Sequence, residues 1–137
     1  MNLAPVTESF GQDDQSWLGS AEGTSRAMSI TLDTSAFNAG LHYPDGYFKS
    51  GIILGRITTT GLYGPYSSAA SDGTETAAGI LLCAVGAPST NTIDVQGAML
   101  WHGRVLLSKL PMAEGLNGGP DAGGAYKTDL PQIRFDA

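Results

Sequence analysis

Few side chains in this sequence are of the types that do chemistry, and their settings are unfavourable. Cys83 is the one thiol, placed in the apolar run Gly79-Ile80-Leu81-Leu82-Cys83-Ala84-Val85. A nucleophilic thiol needs an imidazole or a cation beside it, and this run supplies neither, so a small buried hydrophobe is expected. A lone cysteine also closes no intrachain disulfide. His42 and His102 are the two histidines. A zinc site would need both of them plus Asp45 or Asp94, drawn together from a loop and a strand. The plainer expectation is a loop residue at His42 and a residue on the polar face of a strand at His102. Asp72 and Glu75 flank the turn Ser71-Asp72-Gly73-Thr74-Glu75, where water would deny them the desolvation that general acid–base work requires.

Known catalytic patterns are also missing. Gly23-Thr24-Ser25-Arg26-Ala27 is the nearest approach to a nucleophile elbow, but it lacks the final glycine and leads into a strand. No phosphate-binding loop, dinucleotide fingerprint or His-Glu-x-x-His motif occurs. The Gly-rich segment 115–124 lacks the Lys-Ser/Thr that would directly follow its last glycine in a phosphate-holding loop, so it is read as a mobile loop. The expectation is a protein without catalytic residues, cofactor or metal, acting by binding.

The elements that would position such residues are short and mostly β. Met28-Ser29-Ile30-Thr31-Leu32 alternates apolar residues with hydroxyls, the pattern of a half-buried strand. Asp33 or Thr34 is suited to cap a helical turn after it. Residues 38–50 form a loop with Pro44 and Asp45-Gly46, and its aromatics Tyr43, Tyr47 and Phe48 predict a packed one. Strands follow at 50–59 and 78–85, both apolar on two faces over part of their length. Ile93, Val95, Gly97, Met99 and Trp101 then share one face of a further strand. A short helix is expected from Pro111 to Glu114. An edge strand is expected from Leu130 to Phe135, since Pro131 donates no ladder hydrogen bond. This spacing predicts a mainly β fold: a small β-barrel or sandwich with one or two short helices and an extended N-terminal arm.

Composition agrees. The 137 residues suit one domain, 42% are hydrophobic and only 15% charged, and there are 19 glycines, a balance favouring turn-rich β structure. The net charge of -6 with seven Lys+Arg gives no basic surface for nucleic acid. No apolar stretch approaches the ~18–20 residues a membrane helix needs. The start has neither a basic region nor an apolar core, so no signal peptide is expected, and synthesis is assigned to a cytoplasm.

Residues 1–25 differ from the rest. Polar and small residues dominate there, with isolated apolar anchors at Leu3, Val6, Phe10, Trp17 and Leu18. Exposed aromatic area costs ~25 cal/mol per Å², so an arm bearing Phe10 and Trp17 is expected to lie on something. The division expected is an arm at 1–25 and one β-rich domain at 26–137.

One stretch of the chain resembles a known family. Asp72-Gly73-Thr74-Glu75-Thr76-Ala77-Ala78-Gly79-Ile80-Leu81, followed by Cys83-Ala84-Val85, resembles the head decoration proteins of tailed bacteriophages, the lambda protein D type. Leu32-Asp33-Thr34-Ser35, the stretch 51–57, Tyr63-Gly64-Pro65-Tyr66 and the segments 94–98 and 103–105 are similar in the same order, so the likeness covers about 28–111. It implies a homotrimer on the outer surface of the expanded head, clamping neighbouring major capsid protein subunits against the pressure of packaged DNA. The arm would add a strand to a capsid-protein sheet, with Phe10 and Trp17 as its strongest contacts. Trp101 and Met99 would lie at the trimer interface or in the core. The alternative is a small β-barrel that binds a sugar or other ligand, which needs Tyr63, Tyr66 and Trp101 to converge on one concave face.

Overall fold

The computed structural model describes residues 15–19, 27–88, 90 and 92–136. The alternating segment forms β1 (Met28–Leu32), in which Ile30 and Leu32 turn inward. Asp33 ends it and caps a single 3-10 turn at Thr34–Ala36 by accepting from the Ser35 amide. The aromatic loop is folded, as expected. It holds a short helix α1 (Ala39–His42), capped by the Asn38 side chain, and a two-residue strand β2 (Tyr47–Phe48).

The central apolar runs supply β3 (Ile53–Arg56), β4 (Tyr63–Pro65), β5 (Ala77–Leu81) and β7 (Val95–Leu100), with the short β6 (Val85–Gly86) pairing β2. The barrel closes in the order β1-β4-β3-β5-β7 and back to β1. β1 runs antiparallel to β7 from Met28↔Met99 to Leu32↔Val95. Its other edge meets β4 in parallel at Leu32↔Tyr63, where the Asp33 amide donates to the Tyr63 carbonyl at 2.8 Å.

Two packed clusters explain why the middle strands lack alternation. Ile30, Leu32, Leu54, Leu81 and Met99 come from four barrel strands and fill the interior, with Phe37, Phe48, Ile52 and Met112 packed into the same cluster. Ile53, Ile80 and Leu100 point the other way from the same strands. They are covered by an outer layer consisting of Trp17, Val105, Tyr126, Leu130 and Ile133. A strand buried on both faces needs a near-continuous apolar run, as 52–54 and 80–82 are.

Most of the outer layer comes from the C-terminal third. β8 (Gly103–Leu106) and β9 (Ile133–Asp136) pair in parallel, and their crossover carries a 3-10 turn at Leu107–Lys109 and helix α2 (Ala125–Asp129). Asp129 Oδ2 accepts from the Ala77 amide at 3.0 Å, tying α2 to β5. Residues 111–114 are not helical, against expectation: the helical turn closes earlier, at 107–109. Pro131 lies in the turn before β9, where no ladder bond is asked of it.

The Gly-rich segment is a packed strap, which corrects its reading as a mobile loop. Gly118, Gly119 and Pro120 are buried. The Gly118 amide donates to the Tyr66 carbonyl at 2.7 Å, and its carbonyl accepts from the Ile53 amide at 2.8 Å. Glycine is required there twice over: φ is +83°, and a Cβ would meet Ile52 Cγ2 at 2.8 Å.

Candidate interaction surface

The expected arm divides at residue 15. Leu3, Val6 and Phe10 lie outside the described residues, as does the segment 23–26. Trp17 is only 1% exposed and sits in the domain's own outer layer, which corrects its expected role as a contact offered to a partner. Its indole Nε1 donates to Ser50 Oγ at 3.0 Å, and that hydroxyl donates to the Leu82 carbonyl at 2.7 Å. The ring also covers Gly51, where φ is +101° and a Cβ would lie 2.9 Å from the indole.

Around the indole, the backbone joins a sheet. The Trp17 carbonyl accepts from the Leu106 amide at 2.6 Å, the Gly19 amide donates to the Arg104 carbonyl at 2.9 Å, and Leu18 bridges Val105 antiparallel. Leu18 is half-buried against the outer layer and is likewise spent on the chain itself. Gln15 completes the anchorage, with Nε2 donating to the Leu82 carbonyl at 2.7 Å. Residues 15–19 are therefore a docked root, from which residues 1–14 lead away in sequence.

Met99 is 2% exposed inside the barrel, whereas Trp101, two residues on, is 37% exposed. Trp101 meets the His102 ring edge-to-face at 4.7 Å. The β1–β7 register puts Met28, 47% exposed, at this same end of the strand pair. Met28 and Trp101 are thus both exposed at one end of the β1–β7 pair; Ile93, 53% exposed, lies at the other end of β7.

The groups considered for chemistry serve structure. Asp72 Oδ1 accepts from the Thr74 hydroxyl and amide, which hold this carboxyl below its ordinary range, and Glu75 Oε1 accepts from the Gly73 amide. Both carboxylates build their own turn. Cys83 is half-buried, with the Gln15 side-chain amide 3.6 Å from its sulfur. His42, expected in a loop, is the last residue of α1 and is buried, at 1% exposure. Among the described residues no three His, Cys, Asp or Glu side chains are grouped to hold a metal, and no helix is long and apolar enough to cross a membrane.

The ring cluster needed by a ligand-binding barrel is not formed. Tyr66 is buried in the outer layer, with its hydroxyl donating to Asp121 Oδ1 at 2.8 Å, while Tyr63 packs half-buried against the other cluster and Trp101 is partly exposed. Burial, then the Asp121 carboxylate, pushes the Tyr66 hydroxyl well above the ordinary phenol range. Burial would raise Asp121, but the Tyr66 hydroxyl and the amides of Ala125 and Tyr126 outweigh it and leave that carboxyl low. Sequence reasoning missed Asp121 because its side-chain partner, Tyr66, is 55 residues away.

Comparison with known families places the chain. The family described as bacteriophage lambda head decoration protein D matches residues 18–118. The match runs from the docked root through the barrel to the strap, and leaves out α2 and β9. No curated protein and no solved structure gives a match.

Proposed function

The chain belongs to the bacteriophage lambda head decoration protein D family, and from that premise we propose that it is a cement protein, binding the outer surface of the expanded head as a trimer and stabilising it against the pressure of packaged DNA. The observation that carries this reading is the family match over 18–118, which takes in the whole barrel. In this reading residues 1–14 are the capsid-binding segment. Leu3, Val6 and Phe10 are its contacts with the major capsid protein, and an added strand gives it register. Trp17 and Leu18 then act as the fastening that holds the segment to its domain.

Self-association has a natural seat at Trp101 and Met28, since large exposed apolar side chains grouped on a small domain favour a covered face. One arm would bind weakly. Three arms on one body make the later contacts intramolecular and raise avidity by ~10²–10⁴.

Cosedimentation with mature and immature capsids of the same phage tests the proposal, with the full chain compared against residues 15–137. The full chain is expected to pellet with mature shells only, and the shortened chain to stay in the supernatant while still folded. Equal binding by the two chains would overturn the assignment of the arm, and no binding by either would overturn the cement reading.

A further inference from the structure

His42 links two segments far apart in sequence, and its ring leaves no place for a second proton. The Asn38 amide donates to Nδ1 at 2.9 Å, so Nδ1 is the acceptor and the proton sits on Nε2. Nε2 in turn donates to the Asn117 carbonyl in the Gly-rich strap at 2.8 Å. The imidazole thus clamps α1 to the strap, which is itself paired to β3 through Gly118 and Ile53. Phe37 packs edge-to-face on the ring at 5.3 Å, and Gly118 lies against it.

We propose that His42 is an acid-operated latch: a proton taken from solvent onto Nδ1 releases the 115–120 strap from the end of the barrel. Once Nδ1 carries a proton, two N–H donors face each other across the Asn38 contact, and no lone pair remains for the amide. A planar ring moves as a unit, so the turn that relieves this clash also takes Nε2 off the Asn117 carbonyl. The strap then loses its side-chain tie to α1 and is left with its backbone bonds, among them those of Gly118 to Tyr66 and Ile53.

The surroundings favour the neutral ring. Phe37, Asn38, Asn117 and Gly118, which touch it, are uncharged. Lys49 is the charge acting on it and opposes protonation. Glu114 and Asp121 flank the strap in sequence, and Asp121 is held by Tyr66. Burial is the leading cause that keeps the imidazole below its ordinary value, ahead of the opposing bond to the Asn117 carbonyl. The latch therefore holds at neutral pH and opens on the acid side, whatever surface the protein binds.

Amide exchange on the full chain, converted to protection factors, tests this between pH 7.5 and 4.5. In the natural protein, protection of Gly118 and Gly119 is expected to fall ~10-fold or more, the change equivalent to one pKa unit. In His42→Gln, which has no titrating group at this position, the fall is expected to vanish. Unchanged protection in the natural protein, or the same fall in the variant, would overturn the latch. Should His42→Gln not fold, imidazole nitrogen NMR of the natural protein decides. Nε2-protonated imidazole at neutral pH, titrating in step with loss of strap protection, supports it; a Nδ1-protonated ring or a titration out of step overturns it.

Discussion

Trp17 Nε1 donates to Ser50 Oγ at 3.0 Å, joining the head of the chain to the turn that opens β3. A side chain that composition marks for a foreign surface is instead one of the largest fully buried residues of the domain. Trp17→Ala is expected to lower unfolding free energy by ~3–5 kcal/mol, the usual cost of emptying a buried aromatic site. Trp17→Phe keeps part of the packing but leaves Ser50 without its donor, and is expected to cost ~1–3 kcal/mol. Urea unfolding of the two variants measures both.

Truncation separates the fastening from the arm. A chain beginning at Gln15 is expected to melt within a degree or two of the full protein, because the Gln15, Trp17 and Gly19 contacts remain. One beginning at residue 20 loses the indole and two backbone bonds to β8, and is expected to melt ~10 °C or more lower. Calorimetry on the two truncations checks this. Equal melting temperatures would contradict the docking of 15–19.

Gly51 can be tested by a single methyl group. Gly51→Ala asks an L-residue to hold φ at +101° with its Cβ 2.7 Å from Pro111 Cδ and 2.9 Å from the Trp17 ring. A loss of ~1–3 kcal/mol is expected, with the tryptophan emission shifted as the ring is displaced. Gly46, also at positive φ but with nothing within 4 Å, is the control for backbone strain alone.

The Tyr66–Asp121 bond gives stability two pH limits. Tyr66 titrates higher in the fold than in the unfolded chain, so its contribution is complete below the unfolded value of about 10 and is lost as pH rises through the folded one. Asp121 titrates lower in the fold, so its contribution is complete above about 3.9 and is lost as pH falls through the folded value. Tyr66→Phe is expected to be less stable by ~1 kcal/mol at neutral pH and to flatten the alkaline limb. Denaturant midpoints across pH 3 to 11 supply the test.

If the trimer is built on the Trp101 end, Trp101→Glu is expected to give a monomer by native mass spectrometry with an unchanged circular dichroism spectrum. A trimer that survives this substitution moves the interface elsewhere on the surface.

How much was legible in the sequence follows from the distance over which each feature is decided. β1 showed in the alternation of Met28 to Leu32, and the double-faced burial of β3 and β5 showed in runs without alternation. The Asp33 cap is local and was readable. α2 was not: five residues are too few for a helical period, and its start is satisfied by Asp121 through Ala125 rather than by a capping side chain at Gly124. His42 and Trp17 escaped for another reason. Their partners, Asn117 and Ser50, are 75 and 33 residues away, and composition carries no trace of such pairings.

The fastening of residues 15–19 has a mechanical consequence. Tension entering at Gln15 is carried first by its bond to Leu82, then by an indole wedged over Gly51, then by two amide bonds shared with β8. Pulling this tether loose means dragging a core side chain through packed neighbours, so the load reaches the barrel as a whole. If residues 1–14 are the capsid-binding segment proposed above, strain on the shell would pass through this fastening into the packed barrel.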